Sequence, residues 1–102
     1  MTADPDTELA HFAKALSHPV RIRILRLLAR QPADQCSQIV DELPLAQSTV
    51  SEHLRVLCAA GLIRANRNRP CVGYCLVPDA LARCSQLFGA LSAEPESNGD
   101  PS

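Results

Sequence analysis

Between Gln47 and Arg55 the chain gathers Gln47, Ser48, Thr49, Ser51, His53 and Arg55, short hydrogen-bonding side chains closed by a guanidinium. Presented from the start of a helix, such groups reach base edges in a DNA major groove, and Gln prefers adenine through its bidentate amide. Gln47, Ser48, Ser51 and His53 are therefore assigned to bases, Thr49 and Arg55 to phosphates. The alternatives are structural: Thr49 caps locally, and His53 packs against the hairpin that follows. Five cysteines, Cys36, Cys58, Cys71, Cys75 and Cys84, supply a second chemistry, because thiolates bind soft metals and oxidise reversibly. No Ser/His/Asp arrangement, paired carboxylates or Gly-rich phosphate loop occurs, and Cys with His on separate elements is a weak pattern. Catalysis is not expected.

The polar set needs a helix to carry it. Val50, Leu54 and Leu57, at i, i+4 and i+7, form one apolar stripe and leave the polar side chains elsewhere. Gly61 follows the last apolar turn, where a residue tolerant of positive φ closes a helix. Ile39, Val40 and Leu43 predict a short preceding helix capped by Ser37, and Pro44-Leu45-Ala46 is the length of a helix-turn-helix turn. Upstream, Leu9, Phe12, Ala13 and Leu16 form a first stripe, with His11 and Lys14 left to solvent. Ser17 or His18 caps the second helix, Pro19 suits its first position, and Val20, Ile24, Leu27 and Leu28 point inward. Arg21, Arg23, Arg26 and Arg30 have no acid to answer them there and read as a solvated face, with phosphate contact the alternative.

Downstream, residues 62–67 and 71–76 flank a turn at Asn68-Arg69-Pro70 and read as a hairpin. Its alternation sets Val72, Tyr74 and Leu76 on one face and Cys71, Gly73 and Cys75 on the other. Arg64, Arg67 and Arg69 cluster on it with no nearby acid, which suits phosphate or minor-groove contact. Pro78-Asp79 opens a last helix with the stripe Leu81, Cys84, Leu87, Phe88 and Leu91.

At 102 residues the chain is one domain, with a frayed lead over 1–6, a folded unit over 7–91 and a disordered tail over 92–102. Three aromatics and no Trp leave little for stacking on unpaired bases. No segment approaches the roughly 20 apolar residues of a membrane span, and the acidic N-terminus is unlike a secretory signal. A cytoplasmic protein is expected, in which cysteines are reduced thiols, metal ligands or redox sensors. The net charge of −1 conceals an asymmetry: residues 9–90 hold ten Lys and Arg against five acids, a net of +5 between acidic ends. That body suits a polyanion, although a solvated charged surface fits it equally.

The run Gln47-Ser48-Thr49-Val50-Ser51-Glu52-His53-Leu54-Arg55-Val56-Leu57, followed by Ala60-Gly61-Leu62-Ile63, closely resembles the recognition helix of the arsenic-repressor (ArsR/SmtB) family of winged-helix repressors. Ala15 to Leu25 resembles that family's second-helix entry and Gly61 to Leu81 its wing hairpin, so the resemblance spans roughly residues 9 to 85. It implies a mostly α winged helix-turn-helix of five helices with a small β-hairpin wing, in the order α-α-(short β)-α-α-β-β-α. Gln35-Cys36-Ser37 would be the short extended piece. It also implies a repressor that dimerises through its first and last helices on an inverted-repeat operator in double-stranded DNA, with binding that weakens as salt rises. One departure is Ala46, where the family usually caps the recognition helix with Ser. Losing such a cap costs about 1 kcal/mol, and a DNA phosphate is expected to meet the free amides.

Members of that family release DNA when a metal, metalloid or thiol-reactive signal binds. Residues 78–91 contain no His and a single acid, so the zinc-ligand pairs of that helix are missing. The Cys-Val-Cys triplet of arsenite sensors is reduced to Cys36. Cys71 and Cys75 stand four residues apart on a strand, about 13 Å, beyond disulfide reach. If the segment at 35–37 pairs with the returning strand, Cys36 and Cys75 become neighbours with Cβ atoms about 5 Å apart. That pair, with Cys71 as a third thiolate if the strand bends, is the candidate site for As(III), Sb(III), another thiophilic metal or an oxidant. Cys58 and Cys84 read as small core hydrophobes, Cys84 with a lesser prospect of meeting its twin across a dimer. Two other readings are a regulator without ligand sensing and a winged-helix module that contacts only proteins.

Overall fold

The computed structural model describes residues 4–31, 43–67 and 72–93. Within them lie α1 (Pro5–Ala15), α2 (Pro19–Ala29), α3 (Gln47–Ala59), β1 (Ile63–Asn66), β2 (Gly73–Leu76) and α4 (Pro78–Ser92). The order is that of a mostly helical winged helix-turn-helix. The extended piece expected at 35–37 and the helix expected to carry Ile39 and Val40 lie outside the described residues, as do Cys36, Arg69 and Cys71.

Local chemistry sets the helix ends. Asp4 starts α1, its Oδ1 accepting the Thr7 N–H at 2.8 Å, with Pro5 at the first position and Asp6 and Glu8 in the first turn. Carboxylates there face the positive end of the helix dipole, so the helix begins inside the segment expected to fray. His18 caps α2 through Nδ1, which accepts the Val20 N–H at 3.2 Å. Ala46 precedes α3 with no side-chain cap.

The exit from α3 is a Schellman closure. The Gly61 N–H donates to Cys58 O at 3.0 Å and the Leu62 N–H to Leu57 O at 3.1 Å, with Gly61 at φ +79°. Leu57 and Leu62, both fully buried, make the apolar contact that accompanies this motif,. The chain leaves the closure directly into β1, so the same turn that ends α3 aims the wing.

β1 and β2 pair antiparallel, Ile63 opposite Leu76, Arg64 opposite Cys75, Ala65 opposite Tyr74 and Asn66 opposite Gly73. α3 packs on β1, α2 on α3 and β2, and α1 on α4. Ile24, Leu57, Leu62 and Ile63 are the largest fully buried side chains, and they join the second helix, the third and the wing in one core. On α2 the buried set is Ile24, Leu25 and Leu28, with the expected Val20 and Leu27 only half-buried. On α4, Cys84 and Leu87 reach the core while Phe88 and Leu91 remain 49% and 57% exposed.

Candidate nucleic-acid interface

At the N-terminal end of α3, Gln47, Ser48, Thr49 and Ser51 are all exposed, while Val50, Leu54 and Leu57 of the same helix are buried. The Thr49 and Val50 N–H groups both reach Ala46 O, at 3.0 and 3.1 Å. The Thr49 side chain makes no cap there. The wing follows the helix closely, and its Arg64 and Arg67 are exposed with no acidic partner among the described residues. Short polar groups for base edges and unanswered cations for phosphates are thus carried by adjacent elements.

His53 does not belong to this exposed set. It is 7% exposed, its Nδ1 accepts from Arg21 Nε at 3.1 Å, and its ring centroid lies 4.4 Å from that of His18. Burial above all, then the neighbouring His18 and Arg21, lowers its pKa. An imidazole that accepts at Nδ1 carries its proton on Nε2. His53 therefore anchors α3 to the start of α2, and the assignment of this side chain to bases is corrected. The signal was present in the spacing: His53 stands three residues after Val50 and four before Leu57, within the apolar stripe.

The sequence reads Arg21 as a solvated-face arginine. Its guanidinium instead donates from Nη1 to Lys14 O and Ala15 O at 3.3 and 3.5 Å, carbonyls of the last turn of α1, the first of which also accepts from Ser17 Oγ at 2.7 Å. One side chain thereby ties together α1, α2 and, through His53, the polar helix. Arg55 is exposed and paired with Glu52, Nε to Oε1 at 3.1 Å with a second contact from Nη2 to Oε2. The hydrogen bond from Arg55 holds the Glu52 carboxyl below its usual range. A phosphate would have to compete with that carboxylate for Arg55. On the far side of the fold Arg83 grips Glu8, Nη2 to Oε1 at 2.8 Å and Nε to Oε2 at 3.0 Å, and clasps α4 to α1.

Cys75 is 4% exposed on β2, directly across from Arg64. Burial pushes the thiols of Cys58 and Cys84 up, which keeps both protonated and poor nucleophiles. Among the described residues no group of three His, Cys, Asp or Glu is placed to hold a metal ion. No helix among them is long and apolar enough to cross a membrane.

Comparison with known proteins agrees with this geometry. Residues 18–65 match the bacterial regulatory protein, arsR family. An HTH-type transcriptional regulator of Methanocaldococcus jannaschii is 34% identical over 80% of this chain and 92% of its own. A biofilm growth-associated repressor of Agrobacterium fabrum is 33% identical over 90% of this chain and 78% of its own. Among solved structures, Rv0081 of Mycobacterium tuberculosis superposes with a TM-score of 0.59 at 32% identity, covering 88% of this chain and 93% of that one. An ArsR-like regulator from Rhodococcus sp. RHA1 shares the fold, with a TM-score of 0.70 at 24% identity over 86% of this chain and 82% of its own. The chain belongs to the ArsR family of bacterial regulatory proteins, DNA-binding transcriptional regulators built on a winged helix-turn-helix.

Proposed function

We propose that the protein is a homodimeric repressor that reads an inverted-repeat operator with Gln47, Ser48 and Ser51 and holds the DNA backbone with Thr49, Arg55, Arg64 and Arg67, joined by Arg69 of the wing turn. The observation that carries this reading is the exposed polar start of α3 beside wing arginines that have no acidic partner among the described residues. Such uncompensated cations suit a polyanionic backbone. The two-fold partner is a second copy of this chain, met through Phe88 and Leu91 of α4, which leave apolar surface in water,. The name of the Agrobacterium fabrum relative, a repressor, supports the direction of regulation.

The signal for release is a metalloid such as As(III) or Sb(III), a soft metal or an oxidant acting on Cys75 together with Cys36, and with Cys71 as a third thiolate. Operator binding by the reduced protein, titrated with arsenite, antimonite, cadmium, zinc and peroxide beside a Cys36→Ser/Cys75→Ser variant, tests the reading. Release in the parent and not in the variant is expected. Binding that ignores every reagent would leave a repressor whose switch is elsewhere.

A further inference from the structure

A cleft of about 230 Å³ opens between the C-terminal half of α3 and the junction of α1 with α2. Lys14 and His11 from α1, Arg21 from α2 and Arg55 from α3 line it, together with the apolar Val56 and Ala59. No acidic side chain lines it. The Lys14 amine has no ion-pair partner among the described residues. Arg55 is already held by Glu52 and Arg21 by His53 and two α1 carbonyls, which leaves the Lys14 amine to meet an entering anion, and the apolar lining beside it suits a hydrocarbon body. The volume is below the roughly 300–1,000 Å³ of sites that hold drug-sized molecules, which limits the occupant to a compact one.

We propose that this cleft binds a small organic carboxylate with a compact apolar body, and that its occupation opposes DNA binding. The carboxylate meets Lys14 and draws Arg55 away from Glu52. Glu52 stands one helical turn after Ser48, on the same face of α3. Released from Arg55, its carboxylate adds a negative charge to the surface that faces phosphates. Coupling of this kind is reciprocal, so DNA in turn weakens the carboxylate. The antagonism depends on DNA binding by α3; occupancy of the cleft does not.

Benzoate and its neutral counterpart benzamide, titrated into the full chain without DNA and followed by amide chemical shifts, test the site directly. Benzoate should bind saturably and move the signals of Lys14 and of Arg55 to Ala59, while benzamide leaves them in place. Lys14→Gln, an exposed change, should weaken benzoate about threefold, and Ala59→Leu, which adds bulk to the apolar lining, about tenfold or more. At matched ionic strength, benzoate should loosen the parent's hold on duplex DNA and leave that of Ala59→Leu unchanged. No saturable benzoate binding, an equal response to benzamide, or indifference to both variants would overturn the site. Loss of about one unit of salt slope in DNA binding by Lys14→Gln would assign the cleft to a DNA phosphate and overturn the proposal as well.

Discussion

Arg21 Nε donates to His53 Nδ1 at 3.1 Å, across 32 positions of sequence, and this bond links α3 to the α1–α2 junction. Because the acceptor must be an unprotonated nitrogen, the contact exists only with neutral imidazole. A proton on His53 would face the Arg21 guanidinium and the ring of His18 with only Glu52 to offset it.

The folded His53 pKa lies below its ordinary value of 6.5, chiefly through burial. Where the folded value is depressed for a cationic acid, the unfolded chain takes up the proton first as pH falls. Stability should be flat above about 6.5, fall below it, and level off beneath the folded pKa. The carboxyls of Glu8 and Glu52, lowered by their arginine partners from 4.5, act only in a more acidic window. Urea denaturation from neutral pH into mild acid should show this decline in the parent and lose it in His53→Asn. An unchanged profile in the variant would place the titration elsewhere.

Gly61→Ala should cost about 1–2 kcal/mol, the penalty of a left-handed conformation for a residue with a Cβ. No atom lies within 4 Å of the added carbon, so the loss is one of backbone conformation alone. Asn, which visits that region more readily, should recover part of it. Equal destabilisation by Ala and Asn in equilibrium denaturation would contradict the Schellman account.

Much of this architecture was legible before any coordinates. The stripe of Val50, Leu54 and Leu57, the closing Gly61 and the hairpin beyond it are local patterns, and local patterns suffice where each element has one face to bury. Arg21 was not legible, because its partners are carbonyls and an imidazole that meet only after α1, α2 and α3 have packed. His53 was misread for a related reason. A polar residue invites a functional role, yet its helical spacing already put it among the leucines. The start of α1 is not legible because Asp4 reads as part of a polar lead, whereas in the fold it caps the helix.

Ala46→Ser should stabilise the isolated protein by about 1 kcal/mol by supplying the N-cap that α3 lacks. In the parent, amide exchange at Gln47 and Ser48 should slow when DNA is bound, as a phosphate takes up donors the helix leaves unmet. Exchange that is no slower in the complex would remove that phosphate contact.

Phe88→Asp with Leu91→Asp should convert a dimer to a monomer in sedimentation equilibrium, since both changes put charge on apolar surface that the single chain leaves in water,. Helicity should be retained, because neither side chain is part of the buried core. Loss of the fold with no change in assembly would contradict the assignment of this face.

The most direct measurement is selection of bound duplexes from a random-sequence pool by the parent and by a Gln47→Ala/Ser51→Ala variant, followed by salt titration of the winners. The parent should enrich an inverted repeat whose half-sites are separated by about one helical turn. The variant should lose that sequence preference while keeping residual salt-dependent affinity, and Arg64→Gln should lower the salt slope by about one. No enrichment over the starting pool, or the same sequence enriched by parent and variant, would contradict the claim that the exposed start of α3 reads DNA.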